Sequence, residues 1–133
     1  MARIIETVLY YAPDQPEAGS HTALLKSVLV RMGIRIRNVR PEQALETVGY
    51  LAGLPGFSPA EETGEEIPVI PSEMLVFRNF SSGRLDQLLM NLRKAGVPKV
   101  DLKAVVTEHN SKWTFYQLYE ELKEEHRRME ENA

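Results

Sequence analysis

The chain has 133 residues, no cysteine, 43% hydrophobic and 26% charged residues, and a formal net charge of −3. Those values describe one globular domain and exclude a disulfide framework, thiolate metal sites and cysteine nucleophiles. The charge gives no global attraction to nucleic acid, Met1–Tyr11 lacks the pattern of a secretory signal, and no stretch reaches the roughly 20 apolar residues that span a bilayer.

The first expected strand runs from Arg3 to Tyr11 and is broken by Ala12-Pro13-Asp14-Gln15-Pro16. A helix follows from Ser20 to Gly33, with Leu24, Leu25, Val28, Leu29 and Met32 at helical spacing. Ile34–Val39 reads as a second strand in which Ile34 and Ile36 oppose Arg35 and Arg37. A central parallel strand would be apolar on both faces, so this one belongs at an edge. Pro41 opens a second expected helix whose stripe is Ala44, Leu45, Val48 and Leu51, closed by Gly53 to Gly56.

Residues 55–72 show no periodicity. Between Arg40 and Arg78 there is no Lys or Arg, while Glu42, Glu46, Glu61, Glu62, Glu65, Glu66 and Glu73 all fall there. A loop of this length in a compact domain is functional or disordered. The pattern restarts with a continuously apolar strand, Met74–Phe77. A helix over Ser82–Ala95 carries Leu85, Leu88, Leu89 and Leu92, and a fourth strand spans Leu102–Thr107. The last helix begins near Thr114 with Phe115, Leu118, Tyr119, Leu122 and Met129 on one side. Thr114 and Gln117 suit a capping box, with Trp113 just before the cap and Leu118 as its staple partner. This amphipathic helix either seals the sheet or pairs with a second copy in a homodimer.

Alternating strands and helices predict an α/β fold of three layers, with a four-stranded, mainly parallel sheet in the order 2-1-3-4, flavodoxin-like or Rossmann-like. Residues 1–133 form one domain, built from two βαβα halves, 1–54 and 73–133, joined by the acidic loop 55–72. Leu25–Ile34 and Leu88–Val97 echo one another, each an apolar helix ending in Gly and a β-branched residue.

In such a sheet the crevice lies past the carboxyl ends of the strands where the order reverses. Tyr11 and Asp14 would face Arg78, Ser81, Ser82, Gly83 and Arg84 there. A helix N-terminus capped by Ser82, with two arginines beside it, suits a phosphorylated or carboxylated metabolite. A turn capped by Ser82 with both arginines solvated is the simpler account of the same residues. No Walker loop or G-x-G-x-x-G follows a strand, and no nucleotide cofactor is expected. Strand three ends in Arg78-Asn79, so the aspartate of a phosphoacceptor receiver is missing. Glu108-His109 has no paired nucleophile. His126 and Glu130 lack a third ligand, so no metal is expected. His21 reads as a solvated surface residue. Arg31, Arg35, Arg37 and Arg40 sit near the acidic loop, and either contact it or guard the edge strand against pairing.

Glu73–Phe80, the Leu-rich helix ending Lys94-Ala95-Gly96, Leu102–Thr107, Asn110, Trp113 and Phe115–Leu118 resemble an uncharacterised bacterial family known only as a domain of unknown function. The resemblance covers Glu73 to about His126, and Tyr50–Phe57 is similar to the segment that precedes it. It implies a bacterial cytoplasmic protein and carries no activity, cofactor or catalytic residue. The residues point first to a non-catalytic interaction or regulatory domain that meets a protein partner through the acidic loop or the edge strand Ile34–Val39. Second comes a small-ligand domain at Arg78–Arg84, and third an enzyme built on the same crevice.

Overall fold

A computed structural model describes residues 5–13, 19–61 and 64–131. Strands β1 (Thr7–Tyr11), β2 (Arg35–Asn38), β3 (Met74–Arg78) and β4 (Leu102–Val105) form one sheet in the order β2-β1-β3-β4. The helices are α1 (Gly19–Arg31), α2 (Val48–Leu51), α3 (Ser82–Lys94) and α4 (Phe115–Glu131). Strand alternation sorts the core into two layers. Val8, Tyr10, Leu75 and Phe77 pack against Leu25 and Leu29 of α1 and Leu88 and Leu92 of α3. Leu9, Tyr11, Met74 and Val76 pack against Val48 and Leu51 of α2 and Phe115 and Leu118 of α4. The sheet is thus sandwiched between two helical layers, and α4 seals one of its faces.

The β1–β2 and β3–β4 pairs are parallel, but β1 and β3 pair antiparallel, Leu9 opposite Val76. This central pair departs from a fully parallel doubly wound sheet, and the chain between β2 and β3 explains it. After β2 it runs along α2 as far as Ala52, whose carbonyl accepts a hydrogen bond from Arg78 at the far end of the sheet. The acidic segment then retraces that path. Phe57 lies on Gly49, where an added Cβ would sit 2.6 Å from the ring. Ala60 N–H donates to the Glu46 carboxylate at 2.9 Å, and the Ile70 carbonyl accepts from Tyr11 Oη at 2.7 Å. The return run delivers β3 to the end where β2 finished, so β3 must start there and point the opposite way.

The expected second helix is two short pieces, a 3-10 turn at Pro41–Gln43 and α2. Between them Thr47 is extended (φ −72°, ψ 150°), because it caps α2 and bridges to Thr114.

Antiparallel centring gives the fold an internal two-fold axis. Residues 7–11 and 35–38 recur at 74–78 and 102–105, a constant shift of 67 (74 less 7, 102 less 35). Thr47 and Thr114 obey the same shift (114 less 47) and pair with each other. Around them Val48 N–H donates to Trp113 O and Phe115 N–H to Glu46 O, each at 2.9 Å. The extensions Val39 N–H to Tyr10 O and Val106 N–H to Phe77 O are both 2.8 Å. The echo seen in the sequence is therefore a structural repeat of the βαβα unit. Helices α1 and α3 differ by 63 (82 less 19). The first half thus has four more residues before its helix, and the second four more after its own.

Candidate functional site

The antiparallel centre separates the residues expected to share a crevice. Tyr11 closes β1 at one end of the sheet and Arg78 lies opposite Thr7 at the other. Arg78 and Arg84 also leave on different faces. Arg78 Nη1 donates to the Ala52 carbonyl at 2.6 Å, on the α2 side. Arg84 grips Glu6 through Nε at 2.9 Å and Nη2 at 2.7 Å, and donates to Met32 O at 3.0 Å, on the α1 side. Glu6 raises the Arg84 guanidinium further above its ordinary range. Asp14 falls outside the described residues.

Ser81, not Ser82, caps α3, accepting from Arg84 N–H at 3.1 Å. The sequence offers two adjacent serines, and the left-handed Asn79 (φ 68°) turns the chain so that the first reaches the cap. Ser82 and Gly83 stay exposed in the first turn. The anion-binding elements are present singly, but the two guanidiniums are engaged with a carboxylate and with carbonyl oxygens. Arg84→Ala is accordingly expected to lower the melting temperature, by stranding the Glu6 carboxylate, and differential scanning fluorimetry checks it.

The densest polar cluster lies at the opposite end, where no sequence motif marks it. Glu73, just before β3, takes a hydrogen bond from Tyr10 Oη on the same Oε2 that lies 3.0 Å from His21 Nε2. Tyr10 Oη also pairs with Thr22 Oγ1 at 3.1 Å. His21 and Glu73 side chains are 27% and 21% exposed, so His21 is an anchored residue rather than a solvated one. Its partner is 52 positions away and reaches it only through the antiparallel β1–β3 pair. Burial first, then the Glu73 carboxylate, push the Tyr10 hydroxyl up to about 12. A phenol held protonated so firmly is a poor nucleophile or base at neutral pH. The cluster instead ties the first turn of α1 to the start of β3.

The other expected chemistry resolves into turns and surface. Asn110 closes the loop after β4, accepting from Thr107 N–H at 2.8 Å and donating to Val105 O at 2.9 Å. His109 stands edge-on to Trp113, ring centroids 5.3 Å apart. Gln117 N–H donates to Thr114 Oγ1 at 3.0 Å, the cap expected for α4. His126 pairs with Glu130 one helical turn on, at 3.2 Å. Among the described residues no group of three or more His, Cys, Asp or Glu is placed to hold a metal ion, and no helix is long and apolar enough to cross a membrane.

What remains displayed is the return run. Phe57 and Ile70 fasten its ends, and Ser58, Pro59, Ala60, Glu61, Gly64, Glu66 and Ile67 are exposed. Ile67 is 41% and Val69 80% exposed, beside carboxylates and without a cation in the segment.

Residues 73–129 match the model of a family described as a domain of unknown function (DUF3783). The match begins at the residue before β3 and takes in the second βαβα half. Searches of the curated proteins and of the solved structures found no match.

Proposed function

We propose that this chain is a non-catalytic interaction domain of a bacterial cytoplasmic protein, and that it presents residues 58–69 to a basic protein partner. The observation that carries the reading is a segment fastened at both ends with residues 58–61, 64–67 and 69 exposed between them. Phe57 against Gly49 and the buried Ile70 hold its two ends against the domain. Its carboxylates suit a cationic partner, and Ile67 and Val69 give the contact an apolar component of the kind that carries binding energy. The absence of cysteine suits a reducing compartment. The small-ligand reading at Arg78–Arg84 has less support, since both arginines already have partners.

Excising the segment would shorten the return run that sets the direction of β3, so substitution is the proper test. Affinity capture with the native chain should yield a partner whose retention falls about tenfold or more in Glu61→Lys/Glu66→Lys, and separately in Ile67→Ser/Val69→Ser. The melting temperature should barely move. A partner held equally by all three proteins, or no partner on the native chain, overturns the reading.

A further inference from the structure

The two halves part company after their helices, and a cavity opens at that place. Three residues, 32–34, join α1 to β2, whereas seven, 95–101, join α3 to β4. The longer connection bows away from the sheet edge and leaves a cavity of about 300 Å³ between α3 and β4. Its wall is apolar: Leu75 from β3, Leu92 from α3, and Val97 and Val100 from the added connection, all buried. Its rim is cationic, with Arg93, Lys99 and Lys103.

The internal two-fold provides a control. Through the shifts of 63 and 67, Arg93 corresponds to Val30 and Lys103 to Ile36, while Lys99 lies in the added connection. The cations occur where the cavity occurs, and apolar residues stand at the matching places of the other half. Among the described residues no carboxylate makes an ion pair with Arg93, Lys99 or Lys103. Lys103 Nζ donates to the Val100 carbonyl at 2.5 Å, which aims the ammonium along the cavity edge. Burial first, and then Lys99, hold its pKa below the ordinary lysine range, against a smaller opposing pull from Asp101. A half-buried ammonium beside like charge gains from an anion placed next to it.

We infer that this cavity binds a small amphipathic monocarboxylate, a short acyl or aryl acid, with its apolar body against Leu92, Val97 and Val100 and its carboxylate at Lys99 and Lys103. The volume lies at the lower end for small-molecule sites and admits a body of medium chain length rather than a long lipid. The site lies on the α1/α3 face, away from the displayed segment 58–69, and does not depend on it.

Octanoate titrated into the full-length protein tests this, followed by ¹H–¹⁵N correlation spectra. A saturable response centred on Val97, Val100 and Lys103 is expected, with Kd near the millimolar range for a ligand of about ten non-hydrogen atoms. Lys103→Gln and Lys99→Gln should each weaken binding about tenfold, the loss of one charge-assisted hydrogen bond. Octanamide, neutral and of the same shape, should bind about tenfold or more weakly. Leu89→Trp, which fills the cavity from α3 and leaves Lys99 and Lys103 unchanged, should abolish binding and keep the fold, so the test survives if a lysine variant misfolds. Equal binding of octanoate and octanamide, a response at other residues, or no saturable response overturns the inference.

Discussion

Phe115→Ala should lower the stability of this domain by about 3–5 kcal/mol, a large share of the 5–15 kcal/mol such domains possess. Phe115 is fully buried and meets the Tyr11 ring with centroids 5.9 Å apart. On its face the sheet is covered by α4, by α2 with only four residues, and by Val39, Ala44 and Ile70 from the segments between. Few side chains are therefore available to collapse into the hole. Phe115 N–H also donates to Glu46 O beside the Thr47–Thr114 bridge, which limits how far the backbone can move to close it. The melting temperature should fall by about 10–20 °C. Phe115→Leu, which keeps much of the volume, should cost about a third as much. Urea denaturation and thermal scans of both variants measure this, and a loss under about 1 kcal/mol for the alanine variant would show that α4 does not close the core.

Strand order and layering were legible because they rest on composition along each strand. The Arg35 and Arg37 alternation places β2 at an edge, and the unbroken Met74–Phe77 run places β3 inside. The mainly parallel pairing was legible too, and only the direction of β3 against β1 was not. That direction depends on the return run, whose anchors are a ring lying on a glycine and one buried isoleucine beside the exposed Ile67 and Val69, and neither has a periodicity to read. The candidate site inherited that gap. With β3 reversed, Tyr11 and Arg78 move to opposite ends of the sheet, and Glu73 comes instead to Tyr10 and His21. Cap position failed for a smaller reason. Ser81 and Ser82 are chemically equal, and only the left-handed Asn79 selects between them. The repeat was visible as Gly plus a β-branched residue after each helix, but the shift changes from 63 to 67 within each half, so no single alignment offset reveals it. That same change of shift is the origin of the cavity beside β4.

Alkaline solution should weaken the fold through Tyr10. Its hydroxyl is buried, donates to Glu73 and pairs with Thr22, and its pKa is pushed up to about 12 from the ordinary phenol value of 10.0. Below pH 10 both folded and unfolded chains keep the proton, and the full contribution of the buried, bonded phenol is present. Between pH 10 and 12 the unfolded chain ionises while the folded one does not. Unfolding then releases a proton, so stability falls as pH rises, by about 2–3 kcal/mol across the window. Tyr10→Phe removes that group. At neutral pH it should cost about 1–2 kcal/mol, because Glu73 Oε2 and Thr22 lose a partner in a half-buried place. The decisive quantity is the difference between the two proteins across the pH range, since it cancels the titration of lysines common to both. Urea midpoints from pH 8 to 11.5 should converge as pH rises, and the tyrosinate absorbance of the native chain should contain one late phenol that Tyr10→Phe lacks. Midpoints that stay parallel over that range would show that Tyr10 ionises as freely in the folded state as in the unfolded one, and that the Glu73 cluster does not hold the start of α1 to β3.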